Sequence, residues 1–209
     1  MKDAYRNIAG IYDRLFENMN KGLRLAGVRM FRPSKVMNIL DVGCGTGTHL
    51  ELYQRYECNL YGIDLSPSML EMARARLGGT ARLELGDAAN MPYENRKFDL
   101  IISMLSLHEM SQQTRSGVIA EIKRVLKDDG HIMLIDFHSG PYRPLQGWIS
   151  KVIIRHYHGL NFERRVPIFS AILNLFVRDR HHFRVHCCSK REKISPRKQT
   201  VIMFIVSGP

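Results

Sequence analysis

The 209-residue chain has only four cysteines, one tryptophan and no apolar run of membrane-spanning length. Cys44, Cys58, Cys187 and Cys188 show neither a disulfide framework nor a paired CxxC zinc spacing, so a reducing cytoplasm is the expected compartment. The first residues, MKDAYRNIAGIYDR, are charged throughout and lack the apolar stretch of a secretory signal. Val166 to Val177, the most apolar later stretch, is interrupted by Pro167, Ser170 and Asn174 and is far shorter than the roughly 20 residues of a membrane span. Acidic residues are scarce only in the last third. Residues 137–209 hold 13 Lys/Arg against 3 Asp/Glu, leaving 18 against 17 before them, so the net charge of +11 belongs to the C-terminal part. Such a bias suits a solvated surface, or an anionic partner such as nucleic acid or a peripheral membrane contact.

What is present is a change of pattern near residue 36. Before it, Tyr5, Ile8, Tyr12, Leu15, Phe16, Met19 and Leu23 recur at helical spacing, with a break expected near Gly22 or Gly27. After it, short apolar runs alternate with helical stretches. The pattern predicts strands at Val36–Val42, Asn59–Ile63, Arg82–Leu85, Leu100–Met104 and His131–Phe137, and helices at His49–Tyr56, Pro67–Leu77 and Gln112–Leu126. Ser66-Pro67 reads as an N-cap followed by proline at the first helical position. This alternation predicts an α/β fold: a doubly wound, mostly parallel sheet preceded by an N-terminal helical segment. Phe183–Cys188 and Thr200–Val206 are expected to close the sheet as an antiparallel hairpin. One domain is expected, with a helical cap over 1–35, a binding core over 36–137, and an acceptor-side segment with the hairpin over 138–209.

Three strand ends carry the chemistry. Ile39-Leu40-Asp41-Val42-Gly43-Cys44-Gly45-Thr46-Gly47 is an apolar strand entering a glycine-rich turn, where backbone can approach a ligand closely. Its G-x-G-x-G spacing differs from the G-x-G-x-x-G of dinucleotide sites, which disfavours a nicotinamide-dependent oxidoreductase. Alone, such a turn is also a common tight connection. Leu60-Tyr61-Gly62-Ile63-Asp64 ends in an acid placed to accept ribose hydroxyls, or equally to cap a helix. Leu83-Glu84-Leu85-Gly86-Asp87-Ala88 ends in an acid that suits an adenine amino group or a plain turn.

At these residues the chain resembles the S-adenosylmethionine (SAM) dependent methyltransferases with a Rossmann-like fold, nearest to the quinone-biosynthesis and small-molecule group. DVGCGTG is similar to that family's first motif, YGIDLSPSMLEMAR to its ribose segment and LELGDAANMPY to its adenine segment, with the likeness running from Tyr5 to Phe137. The resemblance implies SAM as cofactor and a small-molecule acceptor. It places Asp41, Gly43, Cys44, Gly45 and Gly47 against the methionine part, Asp64 and Leu65 at the ribose, and Asp87 and Ala88 at the adenine, with Ser103 completing the set. Tyr5 and Tyr12 either cover the cofactor or pack in the core.

Methyl transfer from a sulfonium is an in-line displacement that needs no covalent nucleophile, and a general base serves only an acceptor that must lose a proton. His108, Asp136 and His138 stand at suitable strand ends, His108 first among them. The Asn/Asp/Ser-Pro-Pro-aromatic motif of DNA-amine methylation is absent at Ser103-Met104-Leu105-Ser106, and no cysteine stands near the fourth or fifth strand. RNA or protein methylation by the basic third is the alternative substrate class, and a non-catalytic SAM-binding protein the alternative of another kind. His181, His182, His186, Cys187 and Cys188 have metal-ligand types without a metal spacing, so no metal is expected. Pro141–Val177, with Trp148, is expected to shape the acceptor pocket.

Overall fold

A computed structural model of the chain describes residues 3, 5–138, 184–188 and 200–207. The elements in chain order are helix α1 (Ala9–Met30), strand β1 (Asn38–Val42), helix α2 (Thr48–Glu51), strand β2 (Asn59–Asp64), helix α3 (Pro67–Leu77), strand β3 (Ala81–Leu85), strand β4 (Phe98–Met104), helix α4 (Gln112–Val125) and strand β5 (Leu126–His138). Strands β6 (Arg184–Cys188) and β7 (Thr200–Ser207) follow. The sheet order is β3-β2-β1-β4-β5-β7-β6. Pairings from β3 through β5 are parallel, and β5–β7 and β7–β6 are antiparallel.

Alternating residues of each central strand feed two cores. Leu40, Val42, Ile101, Ile132 and Leu134 join the α4 residues Val118, Ile119 and Ile122 on one face. Ile39, Leu100, Ile102, Met133 and Ile135 join Val28 of α1 and Leu70 of α3 on the other. Each such side chain contributes about 1.5–3 kcal/mol by leaving water. The two cores hold the carboxyl ends of β1, β2 and β4 side by side, and chain order reverses between β1 and β4, where open α/β sheets carry their ligands.

Four local expectations are corrected. No break falls at Gly22 or Gly27, for α1 is continuous from Ala9 to Met30. Gly27 serves close packing instead, since a Cβ there would come within 2.8 Å of Met133 Sδ. The helix expected over His49–Tyr56 is a single turn, α2, and then a 3-10 turn over Gln54–Tyr56 that ends at Glu57 in a left-handed conformation. The first strand starts at Asn38, because Val36 takes φ +65 and is exposed. Finally, the strand expected over His131–Phe137 is longer, for β5 starts at Leu126, which pairs with Phe98 across a register shift, and takes in Asp128-Asp129-Gly130. The cap at α3 is as expected, with Ser66 Oγ accepting from the Met69 N–H at 3.2 Å.

Candidate functional site

A cavity of about 500 Å³ opens over the carboxyl ends of β1, β2 and β4 and is roofed by the N-terminal segment. Its floor is the turn after β1. Gly43 has φ +74, and a Cβ there would lie 2.6 Å from Ser106 Cβ, so glycine lets the turn pack under the loop that follows β4. Gly45 has φ +52 with nothing within 4 Å of a Cβ, so its backbone faces open space. Its N–H donates to Asp64 Oδ2 at 2.8 Å, and Asp64 Oδ1 accepts from the Ser66 N–H at 2.9 Å. One carboxylate at the end of β2 thus fixes both the glycine turn and the start of α3. Burial raises the Asp64 pKa, the Ser66 and Gly45 N–H groups oppose that, and Glu109 adds to it.

Asp41 is 2 % exposed, and its Oδ1 has no hydrogen-bond partner. Burial, with the neighbouring Asp64 charge second, raises its pKa to about 7, against a smaller opposing effect of Arg24. Such a group calls for a donor from a ligand, because a buried unsatisfied carboxylate oxygen is costly. Asn20 and Arg24 of α1 and His49 of α2 are buried around the same part of the cavity. Asn20 Oδ1 and both His49 ring nitrogens also lack hydrogen-bond partners. Burial and the Arg24 charge lower the His49 pKa to about 3, leaving a neutral ring. The carboxyl groups of Asp3, Asp41, Asp64, Asp87 and Glu109 line the cavity with Arg24 among them, a balance that attracts a cationic ligand.

The N-terminal segment is fastened across the opening. Asp3 accepts from Ser66 Oγ at 2.7 Å and from the Ser68 N–H at 3.1 Å. Asp13 accepts from Thr46 Oγ1 at 2.6 Å and pairs with Arg76 of α3. Tyr5 and Tyr12 meet edge-to-face at 5.8 Å, and the Tyr5 hydroxyl donates to Glu109 Oε2 at 2.5 Å.

Of the residues expected from sequence to bind cofactor, Asp41, Gly43, Cys44, Gly45, Asp64, Leu65, Asp87 and Ala88 line this cavity. Asp87 is exposed, and its Oδ1 accepts from the Ala89 N–H at 2.8 Å. Gly47 lies outside the lining as the left-handed N-cap of α2, against Leu77 and Ala73. Ser103 also lies outside it, its Oγ 2.9 Å from Ser106 Oγ, and Ser106 Oγ donates to the Val42 carbonyl at 3.2 Å. His108 and Asp136 come together away from the lining. The His108 ring Nδ1 is 2.8 Å from Asp136 Oδ1, and the His108 N–H donates to Asp136 Oδ2 at 3.2 Å. His138 ends β5 opposite Thr200, and its side chain lies outside the described residues.

Sequence reasoning missed Asn20, Arg24, His49 and Glu109. Asn20 and Arg24 carry a signal, since they continue the Tyr12, Phe16 register in steps of four and so put polar groups on the buried stripe. Glu109 stood beside the histidine that drew attention. The His181–Cys188 cluster and Pro141–Val177 lie outside the described residues, apart from the backbone of Arg184–Cys188. Among the described residues, no group of His, Cys, Asp or Glu is placed to hold a metal, and no helix is long and apolar enough to cross a membrane.

Residues 39–130 match a protein family described as a methyltransferase domain. Over 165 residues the chain is 28% identical to a demethylmenaquinone methyltransferase of Thermobifida fusca, covering 70% of this chain and 69% of that protein. In fold it is similar to a chain from the complex between the Haloferax volcanii Trm112 methyltransferase activator and the putative methyltransferase. That match has a TM-score of 0.77 and 14% identity and covers 100% of this chain and 99% of the other. A Haemonchus contortus phosphoethanolamine N-methyltransferase 2, solved with phosphomonomethylethanolamine and S-adenosylhomocysteine, matches with a TM-score of 0.63 and 15% identity over 90% of this chain and 52% of that one.

Proposed function

The chain belongs to the SAM-dependent methyltransferases with a Rossmann-like fold, and on that premise we propose that it transfers the methyl group to a small, partly apolar acceptor. The observation that carries the site assignment is the pairing of an open Gly45 backbone with Asp64 at the end of β2 and a partnerless oxygen on buried Asp41. In this reading Asp41 receives the cofactor's ammonium, Asp64 its ribose hydroxyls, and Asp87 with Ala88 lies at the adenine. Gly43, Cys44, Gly45 and Leu65 supply the surface along which it lies. Gly47 and Ser103 act from behind, holding α2 on α3 and Ser106 under the turn. Bound SAM supplies a methyl group already activated by the sulfonium charge. The cavity's carboxylates favour that cation, and the N-terminal segment keeps water from it.

The acceptor approaches over β4 and β5, because β1 to β3 carry the adenosyl side. Met104, Leu105 and Met110 give this end of the cavity an apolar wall, which supports a partly apolar acceptor such as the quinone-type substrate in the relative's name. His108 and Asp136 are positioning residues in this reading: their contact ties the turn after β4 to the end of β5. His138 and the segment from 138 to 209, with β6 and β7 as a closing hairpin, belong to the acceptor side of a single domain whose cap is 1–35 and core 36–137. Calorimetry with S-adenosylhomocysteine and NAD side by side tests the cofactor reading. Heat of binding with the first and none with the second is expected, and the reverse would overturn it.

A further inference from the structure

The acceptor side of the cavity carries a carboxylate whose position is fixed from three directions. Leu105, just after β4, takes φ +53, a left-handed conformation that strains a non-glycine residue and persists only where its surroundings hold it. Its N–H donates to the Ile135 carbonyl at 2.7 Å. Arg115 of α4 holds the other end of the turn, donating to the Leu107 carbonyl at 3.0 Å and the Met110 carbonyl at 2.9 Å. Asp136 engages both the backbone and the ring of His108, which keeps that ring out of the cavity lining. The next residue, Glu109, lines the cavity beside Leu105, Met110 and Thr114.

Resting on the cofactor reading above, we propose that Glu109 takes the proton of the methyl acceptor. Tyr5 orients its carboxylate, and the acceptor is a neutral molecule with an ionisable ring hydroxyl, a phenol or hydroquinol, not a phosphorylated one. The Tyr5 hydroxyl donates to Glu109 at 2.5 Å, and both burial and that carboxylate push its pKa far above the usual tyrosine range. Tyr5 therefore stays protonated, and Glu109 is the member of the pair that can receive a proton. Groups facing Glu109 are Tyr5 and Tyr12 from the N-terminal segment, Asp64 from β2 and His108 on its own turn. Asp64 faces Glu109 and Asp3 lines the same cavity, so these acids repel an anionic acceptor, while Met104, Leu105 and Met110 suit an apolar ring.

In the step, the acceptor's hydroxyl proton passes to the Glu109 carboxylate. The electron pair left on oxygen forms the new bond to the methyl carbon, either at oxygen or through the ring at the neighbouring carbon. The methyl–sulfur bond breaks with its pair retained on sulfur. Where carbon is methylated, the ring hydrogen at that carbon moves to the oxygen and restores the hydroxyl.

The test uses the full chain, Glu109→Gln, Glu109→Asp and Tyr5→Phe, with 1,4-naphthohydroquinone as acceptor for methyl transfer and 1-naphthol and 1-naphthyl phosphate as binding probes on the S-adenosylhomocysteine complex. In Glu109→Gln, transfer should fall about 10²- to 10⁴-fold and the acidic limb of its pH profile should vanish. Glu109→Asp, which keeps a carboxylate, should retain more rate than Gln, and Tyr5→Phe should lose less than Gln. By calorimetry, wild type should bind 1-naphthol and exclude 1-naphthyl phosphate, and Glu109→Gln should bind the phosphate at least several-fold more tightly. Transfer in Glu109→Gln at the wild-type rate, an acidic limb that survives there and so belongs to Asp64, or wild type preferring the phosphate or binding neither probe would each overturn the proposal. A wild-type protein that binds no S-adenosylhomocysteine would instead remove the cofactor reading beneath it.

Discussion

The two sides of the cavity are built on different scales of sequence. On the β1 to β3 side the groups proposed for the adenosyl part sit at strand ends or in the turns that follow them, and Asp64 reaches only 19 positions back to the Gly45 N–H. On the β4 and β5 side the contacts are long-range: Tyr5 to Glu109 spans 104 positions and His108 to Asp136 spans 28. A locally encoded half can keep one ligand while the other half changes its partner. The halves are in packing contact at Ser106, which packs on Gly43 and donates to the Val42 carbonyl, while Asp64 and Glu109 meet across the cavity through charge alone. Substitutions that spare this junction should therefore affect one half alone.

The largest expected effect falls on the long-range half. Glu109→Gln should lose two to four orders of magnitude in turnover. A parallel loss of cofactor affinity would break the separation between halves.

Asp41→Asn should change stability by on the order of 2–4 kcal/mol, with a defined pH dependence. The folded protein holds a proton on Asp41 up to about pH 7, whereas an unfolded carboxyl releases it near 3.8, so this group's contribution to stability falls as pH rises through that window. Without ligand, the variant's advantage in denaturant melts should be near zero below about pH 4 and complete above about pH 7. His49, buried neutral with a pKa of about 3, contributes with the opposite sign and cancels in the difference because both proteins retain it. The same variant should bind S-adenosylhomocysteine more weakly, since the ammonium proposed to lie on Asp41 would lose its acid.

At the junction, Gly43→Ala forces a Cβ against Ser106 in a left-handed conformation and should cost about 1–3 kcal/mol in stability. It should also depress both cofactor affinity and turnover, and an effect on one alone would show that Ser106 does not couple the halves. Ser66→Ala, which removes the α3 cap and one Asp3 contact, should cost about 1 kcal/mol by thermal melt.

The same difference in scale explains what was legible in the sequence. Asp41, Gly43, Gly45 and Asp64 could be read because a strand, a glycine turn and a helix cap are each local events, and the parallel order follows from their alternation. Glu109 could not be read, since its partner Tyr5 stands 104 positions away in the chain. His108 attracted notice by residue type, yet Asp136 draws its ring toward β5 and the neighbouring acid faces the ligand space. Asp128-Asp129-Gly130 has the composition of a turn, but pairing of Leu126 with Phe98 draws it into β5. Tertiary pairing outweighs local propensity there.

Titrating S-adenosylhomocysteine into wild type, Asp64→Ala and Glu109→Gln by calorimetry tests the division of the cavity most directly. Asp64→Ala should weaken binding by about 1–3 kcal/mol through lost charge-assisted hydrogen bonds, and Glu109→Gln should match wild type. Unchanged affinity in Asp64→Ala, or an equal loss in both variants, would contradict it.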